Sequence, residues 1–313
     1  MDTTNLREAY GMTLVELGSI DQRVVVLEAD LGKSTRSCLF KDRFPERYFE
    51  MGIAEQNMTS TAAGLALSGK IPFVSSFAVF AAGRAYDQIR NVVCIPKLPV
   101  RICGSSAGLS DFGDGKTHQS VEDVALMRAI PNMTVLVPVD AVETRAMLHA
   151  LVQYPGPAYI RVNRNDLPVY TPLDSVYAIG DTRTVREGND VVVFANGVMV
   201  SKAVAAAERL GAEGISTKVV NVSTVKPLNV DAITAALVSV RRGIVVAEEH
   251  TVIGGLAGAI LEALHAQTRL PVEMIGIRDS FGMSARSYEE LLAYFGLTDT
   301  AIVEAARKIA AAT

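Results

Sequence analysis

The stretch Pro72-Phe73-Val74-Ser75-Ser76-Phe77-Ala78-Val79-Phe80-Ala81-Ala82-Gly83-Arg84-Ala85-Tyr86-Asp87-Gln88 holds the reading that decides the fold. A short apolar run, read as a buried strand, leads into a helix-compatible segment over 82–93. The same succession recurs on both sides of it. β-branched runs at Val24-Val25-Val26-Leu27, Val100-Arg101-Ile102-Cys103, Thr134-Val135-Leu136-Val137 and Tyr159-Ile160-Arg161-Val162 alternate with helix-compatible stretches over 6–17, 55–67, 121–129 and 141–151. Alternating strand and helix predicts an α/β domain with a mainly parallel sheet covered on both faces.

From 165 to 188 the pattern gives way to a polar, turn-rich passage containing Pro168, Pro172 and Gly180. A second alternating series follows, with strands expected over 191–195, 217–222, 243–247 and 272–277 and a last helix over 300–311. The expected division is a first domain over 1–170, a linker over 171–188 and a second α/β domain over 189–313. A length of 313 residues accommodates two such domains.

Composition narrows the class. Hydrophobic residues make up 49% and charged residues 20%, enough for buried cores and too apolar for a disordered chain. The net charge of -4 offers no broad basic face for a nucleic-acid backbone. No apolar run reaches the roughly 20 residues of a membrane helix, and the first residues lack a basic segment followed by an apolar one. Cys38, Cys94 and Cys103 form no CxxC pair. Together these features predict a cytoplasmic protein without nucleic-acid or membrane partners.

Four segments can carry chemistry, and each has a plainer alternative. Glu55, in Gly52-Ile53-Ala54-Glu55-Gln56-Asn57-Met58, opens an expected helix, either as a terminus-favoured acid or as a desolvated carboxyl with raised proton affinity. Phe77 and Phe80 with Arg84 can form an aromatic and guanidinium platform for a flat heterocycle, or simply belong to the core. Asp111-Phe112-Gly113-Asp114-Gly115-Lys116-Thr117-His118-Gln119 follows a strand, where ligand loops of open α/β sheets lie. Its Asp114 and His118 suit hydroxyl recognition or proton transfer, though a solvated turn reads similarly. Arg161 and Arg164, at a strand end, can hold a phosphate or form surface ion pairs. The Gly113-Asp114-Gly115 triplet is not followed some thirty residues later by Asn, which excludes the GDG-type magnesium site on this loop. GxGxxG after the first strand and GxxxxGK[ST] are both missing.

In order and spacing these segments resemble the C-terminal half of the transketolase family: its pyrimidine-binding domain followed by its C-terminal domain. The resemblance rests on GIAEQNM around Glu55, SSFAVFAAGRAYDQIR, DGKTHQSVEDVALMRAIPNM over 114–133, and Glu248-Glu249-His250-Thr251-Val252-Ile253-Gly254-Gly255 with a later Phe281-Gly282. It implies thiamine diphosphate as cofactor. Glu55 then matches the glutamate that shares a proton with N1' of the aminopyrimidine and favours the tautomer whose 4'-nitrogen deprotonates the thiazolium carbon. Phe77 and Phe80 match the aromatics stacking on the pyrimidine, and Arg84 the third platform position, as in animal transketolases. Asp30 matches an acid beside the cofactor. The family's substrate contacts fall on Arg7, Ser34, Asp114, His118 and Arg164, with Asp114 reading a hydroxyl and His118 the donor's C1 oxygen. A phosphate-binding His of typical transketolases falls on Ser106, which leaves the ketose open.

The resemblance also implies what this chain lacks. The family's N-terminal domain, which binds diphosphate and Mg2+, has no counterpart here, so no metal ligands are expected on this chain. The expected partner is an N-terminal transketolase subunit supplying that half, in an α2β2 assembly acting on sugar phosphates. Three alternatives share parts of this pattern: the β subunit of a 2-oxo-acid dehydrogenase, a deoxyxylulose-phosphate-synthase-like enzyme, and a regulatory binding subunit that keeps the fold.

Overall fold

A computed structural model describes residues 3–311. The first half builds a seven-stranded sheet in the order Thr224–Lys226, Thr134–Leu136, Ala158–Arg161, Arg101–Ser105, Ile71–Phe77, Val24–Glu28, Tyr48–Glu50. Six strands run parallel; Thr224–Lys226 pairs antiparallel with Thr134–Leu136 and comes from the second half of the chain. The second half forms a five-stranded sheet from Val272–Ile277, Gly243–Thr251, Val191–Ala195, Thr217–Asn221 and Arg183–Arg186, parallel except at the Arg183–Arg186 edge.

The near-continuous apolar strands follow from burial on both faces. Val24 and Val26 pack into one core, with the helix Leu6–Ile20 and the helix Ala141–Gln153; Val25 and Leu27 pack into the other, with the helix Glu55–Leu67. Val191 and Val193 oppose Val192 and Phe194 in the same way. The period-2 side-chain alternation of a strand therefore feeds two helical layers at once.

Several expectations need correction in detail. The segment expected as one helix over 82–93 is two wide-turn π-type pieces, Val79–Arg84 and Ile89–Cys94, joined by the short helix Tyr86–Gln88. The helix expected over 121–129 begins only at Asp123. The passage around 165–188 is not wholly irregular: Asp166–Pro168 pairs with Thr3–Asn5, and Arg183–Arg186, inside the expected linker, is an edge strand of the second sheet. These strands are three or four residues long, too short for a periodic pattern. All three cysteines are free thiols.

Carboxylates brace the helix starts and the joint between the two halves. Asp140 accepts from the Glu143 N–H, and Glu143 reaches back to accept from the Val139 N–H at 2.7 Å, a reciprocal cap. Glu143 also accepts from Asn221 and Ser223 of the second half. Glu248 accepts from the Leu256 and Ala257 N–H groups, satisfying two otherwise unpaired donors where the helix Leu256–Leu264 begins. Gly255 is required there, because a Cβ would lie 2.1 Å from a Glu248 carboxylate oxygen.

Candidate active site

Parallel strands end at one edge of a sheet, so loops from distant parts of the sequence meet there. After Glu28 comes Asp30; after Glu50, Glu55; after Phe77, Phe80 and Arg84; after Ser105, the loop bearing Asp114 and His118; after Arg161, Arg164. Every candidate except Arg7 lies at or just after the carboxyl end of a strand of the first sheet.

Glu55 is the first residue of its helix and is 1% exposed. Arg84 Nη1 donates to Glu55 Oε2 at 2.7 Å, while Ser76 Oγ stands 3.4 Å from Oε1. Phe77 and Phe80 stack with ring centroids 6.3 Å apart and planes 11° from parallel. The Arg84 guanidinium lies 4.6 Å over the Phe80 ring. His118, from a loop four decades of sequence away, stands edge-on to both rings, with centroids 6.2 Å from Phe77 and 5.5 Å from Phe80. Thr117 Oγ and His118 Nδ1 are 2.9 Å apart, and Nε2 has no hydrogen-bond partner among the described residues. Glu55, Phe77, Phe80, Arg84 and His118 thus form one cluster: a buried carboxylate, a π surface, a cation and an imidazole.

A second group collects cationic side chains. Arg7 Nη1 donates to the Ser34 carbonyl at 2.9 Å. Arg164 pairs with Asp111, which is 3% exposed. Burial and the neighbouring Arg164 and Arg36 cations lower the Arg7 guanidinium below its ordinary range. The Asp111 and Asp166 carboxylates offset part of that shift. Arg7 Nε is buried and unpartnered among the described residues.

Asp30 and Ser34 line an open cavity of about 500 Å³ with Lys33, Lys41, Tyr48 and Glu50. Asp30 adopts φ 61°, and its N–H donates to Glu50 Oε1 at 2.8 Å. Asp114 is exposed at the start of the turn Gly115–Thr117. Among the described residues, neither Asp30 nor Asp114 makes a hydrogen bond or ion pair with the Glu55 cluster. Ser106, 0% exposed with φ 49°, buries its hydroxyl without a partner among the described residues. It therefore presents no group to solvent where the family's His is expected.

The sequence missed four supporting residues. Glu50 also accepts from the Gly52 N–H, which ties the Asp30 turn to the turn before Glu55. Asp111 restrains Arg164, Ser76 faces Glu55, and Glu249 reaches the 107–119 loop from the second half. Ser76, Asp111 and Glu249 lay inside stretches already singled out; nothing local marked Glu50 as special. Among the described residues, no group of three or more His, Cys, Asp or Glu side chains is arranged to hold a metal. No helix among them is long and apolar enough to cross a membrane.

Known proteins give this geometry a family. Residues 2–169 match the model of the transketolase pyrimidine-binding domain, and residues 180–302 that of the transketolase C-terminal domain. A putative transketolase C-terminal section from Methanocaldococcus jannaschii is 42% identical over 303 residues, covering 96% of this chain and 94% of that protein. The 6-deoxy-6-sulfo-D-fructose transketolase subunit SqwH of Clostridium sp. (strain MSTE9) is 39% identical, covering 97% of this chain and 94% of that one. A solved structure described as a split gene transketolase, inactive beta4 tetramer, superposes with a TM-score of 0.88 at 44% identity, covering 98% of both chains. With both domain models matched in order and relatives that are C-terminal sections and subunits of transketolases, this chain belongs to the transketolase family and carries its pyrimidine-binding and C-terminal domains.

Proposed function

We propose that this chain is the C-terminal subunit of a split, thiamine diphosphate-dependent transketolase that moves a two-carbon ketol unit from a ketose to an aldose. One observation carries the reading: Glu55, Phe77, Phe80, Arg84 and His118, drawn from three separate segments, converge on one side of the sheet edge. A regulatory subunit that had lost catalysis has no need to keep a buried carboxylate beside a stacked aromatic pair.

The residues fit the aminopyrimidine. Phe80 gives a flat apolar face, Arg84 a cation that can stack on or beside a ring, and Glu55 an acceptor whose Oε1 has only the long Ser76 contact. When bound, thiamine diphosphate supplies the electron sink for breaking and making the carbon–carbon bond. Glu55 holds or gives a proton at the pyrimidine edge, in a site whose low exposure strengthens the hydrogen bond it makes there. His118 Nε2 is the free ring nitrogen that can hydrogen-bond a substrate oxygen. Asp114 takes a substrate hydroxyl, and Arg7, Arg164 and the Ser34 segment take an anionic terminus, phosphate being the expected one. Asp30 lies beside the cofactor on the cavity it shares with Ser34.

The diphosphate and Mg2+ are assigned to an N-terminal partner subunit, in an α2β2 complex in the cytoplasm. Within this chain, 1–170 is the pyrimidine-binding unit, and the C-terminal unit includes the edge strand Arg183–Arg186, which shortens the expected connection of 171–188 to the residues before that strand. The test is reconstitution. This chain, the partner, thiamine diphosphate and Mg2+ together, given an acceptor aldose, should transfer the two-carbon unit of a ketose phosphate to that acceptor and release the shortened aldose. Activity from this chain alone would overturn the split assignment, and carbon dioxide release from pyruvate would instead make it a 2-oxo-acid dehydrogenase subunit.

A further inference from the structure

The loop 107–119 carries His118, yet its ends are held by the other half of the molecule. At its base, the Leu109 N–H donates to Glu249 Oε1 at 2.8 Å. Glu249 is 3% exposed and is itself fixed: Asn163 Nδ2 reaches its other oxygen at 3.4 Å, and Arg161 Nη1 stands 3.8 Å away. Arg161 is locked in turn by Asp123, to which Tyr159 also donates. Gly108 exists because of this contact, since a Cβ there would lie 2.5 Å from the Glu249 carboxyl carbon, at a φ of +65°.

At its far end, the loop meets the turn after Phe281. Gln119 Nε2 donates to the Asp111 carbonyl within the loop and to the Met283 carbonyl across the domain boundary, both at 3.0 Å. The Ala285 N–H donates to the Phe112 carbonyl at 2.9 Å. Gly282 is packed against Gln119 so closely that a Cβ would lie 1.8 Å from Gln119 Oε1, and one on Gly115 would lie 2.3 Å from Ser284 Oγ. His118 sits between these grips, adjacent to Gln119 and bonded through its N–H to the Gly115 carbonyl.

We propose that the second domain positions the imidazole: Glu249 through the Leu109 N–H, and the Gly282–Met283 turn through Gln119, hold the 107–119 loop so that His118 stands edge-on to Phe77 and Phe80. Glu249 and Gln119 are positioning residues. The significance of this placement for catalysis rests on the function proposed above, but the placement itself does not.

The experiment therefore reads the ring in the free chain, without partner or cofactor. With histidine labelled and His118 assigned among the 4 histidines by its own substitution, the ring currents of Phe77 and Phe80 displace its NMR signals from those of an ordinary imidazole. Gln119→Met, similar in size but without donors, and Gly282→Ala should each remove at least half of that displacement. Glu249→Gln keeps an oxygen for the Leu109 N–H and should preserve it; a loss there as large as in Gln119→Met would overturn the hydrogen-bond assignment. His118 signals unchanged in both Gln119→Met and Gly282→Ala would overturn the proposal. Should those two variants fail to fold, amide exchange in the native chain decides. Leu109 and Ala285 are expected to be protected far beyond an open loop, and exchange at the rate of an open loop would overturn the proposal.

Discussion

Arg84 Nη1 lies 2.7 Å from Glu55 Oε2, coupling a side chain that is 37% exposed to a carboxylate that is 1% exposed. A buried carboxylate is costly without a partner, so the guanidinium lets Glu55 occupy a dry site beside the Phe80 ring. The same guanidinium caps that ring, so any heterocycle stacking there must share or displace it.

A double-mutant cycle measures that coupling. Because Arg84 is partly solvated, Glu55→Gln and Arg84→Met should show a coupling on the order of 1 kcal/mol by denaturant unfolding. Strictly additive effects would mean that the pair contributes nothing to the fold.

Glu55→Gln should also leave assembly with the partner intact while lowering ketol transfer by about 100-fold or more, the usual range for removing a positioned acid–base group. Loss of hydrogen exchange at the cofactor's reactive carbon checks that the defect precedes sugar binding. Exchange at the native rate would remove Glu55 from the proton transfer.

Arg164→Lys keeps the charge but loses the planar fork facing Asp111. For an anionic ketose the expected result is a KM raised about tenfold, roughly one charge-assisted hydrogen bond, with kcat changed much less. Steady-state kinetics with phosphorylated and unphosphorylated donors checks whether the effect follows the anion.

Stability should depend on pH through the buried glutamates. Burial pushes the Glu28 carboxyl up to about 7, only partly offset by donation from Ser37, Thr35 and the Ala29 N–H. Glu143 and Glu249 are likewise pushed up to about 7. The folded state then holds these protons more tightly than the unfolded chain, so their stabilising contribution is complete below the ordinary carboxyl value of 4.5 and is lost as pH rises through about 7. Each group adds a slope of up to about 1.4 kcal/mol per pH unit within that window. In Glu28→Gln the Thr35 and Ser37 hydroxyls can turn to suit an amide, so the variant should flatten the profile from pH 5 to 7, measured by denaturant midpoints. An unchanged slope would mean that Glu28 does not titrate there.

Gly104→Ala tests the sheet beneath the site. A Cβ at Gly104 would lie 2.0 Å from the Tyr159 hydroxyl, which donates to Asp123 at 2.7 Å. Overpacking of this kind costs about 1–3 kcal/mol, and displacing the hydroxyl leaves Asp123 with Arg161 alone. A melting temperature lowered by several degrees is expected.

The fold was legible where elements were long and buried on both faces. Val24-Val25-Val26-Leu27 and Val191–Ala195 declared themselves as uniformly apolar runs, and the alternation with helices implied the parallel order. Thr3–Asn5, Asp166–Pro168, Arg183–Arg186 and Thr224–Lys226 did not, because these three- or four-residue segments carry neither an apolar run nor a period and owe their existence to a partner far along the chain. The wide-turn pieces at Val79–Arg84 and Ile89–Cys94 were hidden for a related reason: their composition suits an ordinary helix.

The candidate site divides along the same line. Glu55, the Phe77–Phe80–Arg84 spacing and the His118 loop are local features, and the sequence alone determined them together with the two-domain α/β pattern. Only the tertiary structure decided that Arg84 faces Glu55, that His118 crosses to the Phe77 and Phe80 rings, that Ser106 is buried, and that Glu249 and Gln119 tie the His118 loop to the second domain. Strand and helix periods arise from neighbours a few residues apart. These contacts span separations from 29 to 164 residues, and depend on sheet order and on which loop ends above which strand.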